Sequence, residues 1–204
     1  MVKNSSSVSI HALITKIRQN FLGEPLLSPG ICLAHANGDD WHVHKITEIL
    51  SHRHWREITA DDMYKCGYSE LATYITPTAL IYYLPAFMVN VLAQTDLSTS
   101  SLREVISRFF FPTNADCEDV WDYFGDGLLD RPLNRFAQDL IKRINFLHNT
   151  LTPLQRECVA QYIEIAELYG VENPDSEFLR LLARYSNFWR SGTPNVASKQ
   201  SNDC

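Results

Sequence analysis

Thr76-Pro77-Thr78-Ala79-Leu80-Ile81-Tyr82-Tyr83-Leu84-Pro85-Ala86-Phe87-Met88-Val89-Asn90-Val91-Leu92-Ala93 has the plainest structural reading in the chain. Thr76 can offer its hydroxyl to the unpaired N–H groups of a helix start. Pro77 then sits where a missing N–H costs nothing. Leu80, Ile81, Leu84, Phe87, Met88, Val91 and Leu92 recur at helical spacing, and Tyr82, Tyr83 and Val89 cover the other faces. A helix apolar nearly all round must be enclosed by other elements. The pattern therefore predicts a central buried helix over about 77–94. Pro85 removes one N–H from its interior and predicts a kink.

Outward from this helix the signals remain helical. On the N-terminal side, Ser7 is the expected cap of a first helix with Ile10, Ile14, Ile17 and Phe21 on one stripe. Residues 24–37 read as an extended connection. A second helix is expected from Asp40 to Leu50, with Ile46, Ile49 and Leu50 inward. Trp55 and Ile58 read as anchors, and Thr59 opens a short helical turn that ends near Gly67.

On the C-terminal side, Ser101-x-x-Glu104 is a capping box for a helix that ends before Pro112. Phe109 to Phe111 is a candidate for a short extended piece. Asp130 and Pro132 open a helix with Leu133, Phe136, Leu140, Ile141, Ile144 and Leu147 on one face. Thr152-Pro153-Leu154-Gln155 combines a capping box with proline at the first helical position. Val159, Tyr162, Ile163, Ala166 and Tyr169 follow, with Gly170 as the stop. Asn173-Pro174 starts a last helix carrying Phe178, Leu181, Leu182, Tyr185, Phe188 and Trp189, ended by Gly192. The expected fold is all-α: an irregular bundle of about six or seven helices around the kinked central one. Residues 1–192 form one domain with an excursion at about 113–130, and 193–204 form a flexible C-terminal tail.

Composition narrows the function classes. With 204 residues, 45% of them apolar, the chain can fill a core without staples. Cys32, Cys66, Cys117, Cys158 and Cys204 are odd in number and form no C-x-x-C pair, which points to a reducing compartment. The N-terminus lacks a basic segment followed by an apolar block, so no signal peptide is expected. The longest apolar run, Leu80 to Ala93, is too short for a bilayer. The expected location is cytoplasmic, with no membrane partner. A net charge of −6 speaks against a nucleic-acid groove.

The sequence offers little for catalysis. His35, His42, His44, His52 and His54 crowd one window, and a metal-dependent enzyme built on them is the least favoured reading. His42 and His44 are two residues apart, as are His52 and His54, so on a helix each pair points to different faces. Solvated or capping histidines are the simpler account. Asp39-Asp40 and Asp61-Asp62 stand at helix starts, where the dipole favours them. No nucleophile elbow, phosphate loop or dinucleotide fingerprint occurs. The expectation is no enzyme, no catalytic or metal residues and no cofactor.

One segment departs from the rest. Asp116, Glu118, Asp119, Asp122, Asp126 and Asp130 fall in fifteen residues without a lysine or arginine. This segment alone carries −6, so the remainder of the chain balances. Trp121, Tyr123 and Phe124 are interleaved with the acids. One reading is a solvated loop pinned by its aromatics. The other is a docking surface: concentrated negative charge steers a basic partner, and Tyr and Trp anchor it. On the second reading the partner-binding residues are Asp116, Glu118, Asp119, Trp121, Asp122, Tyr123, Phe124 and Asp126.

The run Ile75-Thr76-Pro77-Thr78-Ala79-Leu80-Ile81-Tyr82-Tyr83-Leu84-Pro85-Ala86-Phe87 resembles the Leu-Thr-Pro-Glu-Ala-Phe-x-Tyr-Tyr-Leu-Pro-Ala-Phe hallmark of an uncharacterised bacterial helical family. Leu151-Thr152-Pro153-Leu154-Gln155 resembles that family's later Leu-Thr-Pro-x-Gln helix start, and Ala183-Arg184-Tyr185 with Trp189 its terminal Arg-Tyr-Trp. Trp55 also has a counterpart, so the likeness spans about residues 10 to 190. Thr78 and Leu80 depart from the pattern, and residues 113–130 are longer and more acidic than expected. The resemblance implies a small helical cytoplasmic bacterial protein and supplies no activity. By analogy, small families without catalytic signatures include toxin-neutralising immunity proteins. The expected function is therefore non-catalytic binding of a cognate protein toxin, such as a nuclease effector, or of another protein with a basic surface. The alternative is a housekeeping interaction or scaffold module, including a homo-oligomer.

Overall fold

The computed structural model describes residues 9–22, 41–67, 75–94, 142–169 and 176–191. Their elements are helices, with no strand among the described residues. We label them α1 (Ile10–Asn20), α2 (Trp41–Leu50), a 3-10 turn (Trp55–Glu57), α3 (Ala60–Cys66), α4 (Pro77–Leu92), α5 (142–150), α6 (Pro153–Tyr169) and α7 (Ser176–Ser191). The all-α expectation holds.

Local chemistry sets the helix starts. Thr76 accepts from the Ala79 N–H at 3.3 Å, with Pro77 at the first position of α4. Thr59 and Asp62 exchange capping bonds at α3: the Thr59 N–H donates to Asp62 at 2.8 Å, and the Asp62 N–H to the Thr59 hydroxyl at 3.2 Å. Thr152 and Gln155 do the same at α6, at 2.9 and 3.3 Å. The first helix corrects the sequence reading. Its cap is Ser9, not Ser7, and Ser9 accepts from the Ala12 N–H at 3.1 Å. Its innermost row is Leu13, Ile17 and Phe21, spaced four apart, while Ile10 and Ile14 lie on the flank, partly buried.

The central helix is α4. Leu80, Tyr83, Leu84, Pro85, Phe87, Met88, Val91 and Leu92 are among its buried residues, and the helix runs through Pro85. The 3-10 turn, α1 and α3 pack against it, and α2 packs on α3. Helix α1 also packs against α6, and the pairing of α6 with α7 is the most extensive among the described elements. Cys158, Val159, Tyr162, Ile163, Tyr185, Phe188 and Trp189 fill that part of the core, with Ile144 and Leu147 from α5. Fully burying one such large apolar side chain contributes about 1.5–3 kcal/mol. Arg190 on α7 closes the seam by pairing with Glu157, at 2.9 Å, and with Glu164, both on α6.

Several expectations lie outside the described residues: the 24–37 connection, the helix opened by Ser101, the Phe109–Phe111 piece, the Asn173-Pro174 start, the excursion at 113–130 and the tail. Of the helix expected from Asp130, residues 130–141 also lie outside them, and its later part is α5, where Ile144 and Leu147 are buried as expected. No helix among the described residues is long and apolar enough to cross a membrane.

Candidate functional site

The residues expected to bind a partner, Asp116, Glu118, Asp119, Trp121, Asp122, Tyr123, Phe124 and Asp126, lie outside the described residues, as does His35. The other members of the histidine window can be placed. His42 and His44 are on α2. His52 occupies the turn after α2 with φ 61°, a left-handed conformation that histidine tolerates better than branched residues. His54 caps the 3-10 turn: its Nδ1 accepts from the Arg56 N–H at 3.1 Å, and its own N–H donates to Glu57 at 2.9 Å. Among the described residues, no three histidines, cysteines or carboxylates gather as metal ligands.

Other reactive groups are committed to structure. Asp61 pairs with Lys65 one turn on, at 2.6 Å. Asp62 pairs with Arg53 at 2.9 Å, and that guanidinium, with the Thr59 hydrogen bonds, holds its carboxyl well below the usual range. The thiols of Cys66 and Cys158 are buried, and burial pushes the Cys66 thiol up to about 11. Such thiols are poor nucleophiles at neutral pH.

The most informative geometry lies between α1, the 3-10 turn and α4. Residues 50–59 are irregular, so their carbonyls need donors from elsewhere. Central α4 supplies them. The Tyr83 hydroxyl donates to the Leu50 carbonyl at 2.5 Å, with the Arg53 carbonyl at 3.2 Å. The Asn90 side chain donates to the Ile58 carbonyl at 2.8 Å. The buried Trp55 indole N–H donates to the Phe21 carbonyl at the end of α1, at 3.1 Å. Burial raises the Tyr83 phenol to about 12, so it stays a donor at physiological pH.

Beside these ties lies an open cleft of about 370 Å³, with exposed Arg18 and Arg56 and half-buried Asn90 in its lining and the buried Trp55, Ile58, Ala86 and Val89 beneath them. Arg56 lies over the Trp55 ring, 5.2 Å from its centroid, and donates to the Arg18 carbonyl at 2.7 Å. No described carboxylate lies within ion-pair distance of Arg18 or Arg56. Among the described residues the cleft's lining holds no serine, cysteine, histidine or carboxylate. Sequence reading did not single this cleft out, because Arg18 and Arg56 are far apart in the chain. One signal was available: Asn90 interrupts an otherwise apolar helix.

A second exposed feature is Trp41 on α2, 62% accessible, with the Lys45 ammonium 4.4 Å from its ring centroid. No curated protein and no solved structure matches the chain. The chain belongs to a family of unknown function, DUF6714, whose sequence model matches residues 10–193.

Proposed function

We propose that this protein works by binding another protein without catalysing a reaction, and that it is an immunity protein neutralising a toxin. The observation that carries this reading is the charge asymmetry of the chain. Residues 116–130 hold six carboxylates and no lysine or arginine, which equals the whole net charge of −6. Trp121, Tyr123 and Phe124 lie among them. Acids that steer and aromatics that anchor are what a basic protein surface selects. A nuclease effector has such a surface, because its cleft must hold phosphates. Charge complementarity of this kind joins barnase to its inhibitor barstar, and that unrelated pair is the analogy behind the nuclease partner.

The described body supports the reading in a second way. Asp62, Glu157, Glu164, the thiols of Cys66 and Cys158 and the capping His54 have structural work at helix starts, at the α6–α7 seam or in the core. The test is capture of partners by the full chain from extract of its own cells, followed by expression of the captured protein with and without this chain. A toxic partner whose toxicity disappears on co-expression is the expected result. Capture of a harmless partner, or of this chain alone, refutes neutralisation and favours a scaffold or self-associating role.

A further inference from the structure

We draw no further inference here: the strongest candidate, the exposed aromatic patch on α2 formed by Trp41 with the Lys45 ammonium over its ring, carries nothing, because nothing in the structure shows what covers it.

Discussion

Replacing Tyr83 by phenylalanine removes one oxygen from the core and leaves its packing otherwise intact. Tyr83 is 2% accessible, and its hydroxyl serves the Leu50 carbonyl at 2.5 Å and the Arg53 carbonyl at 3.2 Å. The Leu50 carbonyl keeps a long bond from the Arg53 N–H, at 3.3 Å. A net hydrogen bond contributes about 1 kcal/mol, and a buried acceptor left without its donor costs about 1–3 kcal/mol. Partial retention by Leu50 puts the expected loss for Tyr83→Phe near 2 kcal/mol. For a chain of this size that lowers the thermal midpoint by about 4–8 °C. Urea unfolding should show the same loss with an unchanged slope, because the buried surface is the same. The wild type should also lose stability as pH rises from about 10 toward 12, since the folded phenol titrates higher than the unfolded one. Tyr83→Phe should lack that component. A midpoint shift below about 1 °C would refute the claim that α4 holds residues 50–58 through this hydroxyl.

Two further outcomes follow from the α5–α6–α7 half. His148 is 6% accessible, 4.7 Å from the Phe188 ring and 5.6 Å from the Trp189 ring, and its Nε2 makes no hydrogen bond among the described residues. Burial, then the nearby Arg156 charge, depresses its titration below the ordinary histidine range. Its stability contribution is therefore complete above about pH 6.5 and lost as pH falls below it. Stability measured from pH 8 to 5 should fall less steeply in His148→Gln, and equal slopes would refute this. Arg190 bridges Glu157 and Glu164, with side chains about a third exposed. Arg190→Gln should cost only about 1 kcal/mol, and the difference from wild type should shrink in high salt. A salt-independent difference would assign the loss to packing of the arginine stem instead.

Much of the fold is legible in the sequence because helix starts are local. Thr59, Thr76 and Thr152 act on N–H groups within three residues, so short windows suffice to read them. The apolar character of α4 is equally clear, since most of its residues are buried. The first helix is harder to read. Three serines in a row precede it, and the choice between Ser7 and Ser9 rests on which row faces α4 and α6, a tertiary matter. The cleft is the least legible feature. Arg18, Trp55 and Asn90 meet only because three carbonyls of an irregular segment and a helix end find donors across the core. No periodicity records such a meeting. The acidic segment is the reverse case: its charge is visible in composition alone.

The proposed function stands or falls on protein binding through that segment. The decisive measurement is partner affinity for wild type and for the triple variant Asp119→Asn, Asp122→Asn, Asp126→Asn, each at low and moderate salt. The variant should bind about tenfold or more weakly, and its salt dependence should flatten. Equal affinity and equal salt dependence in the two proteins would contradict binding through these carboxylates.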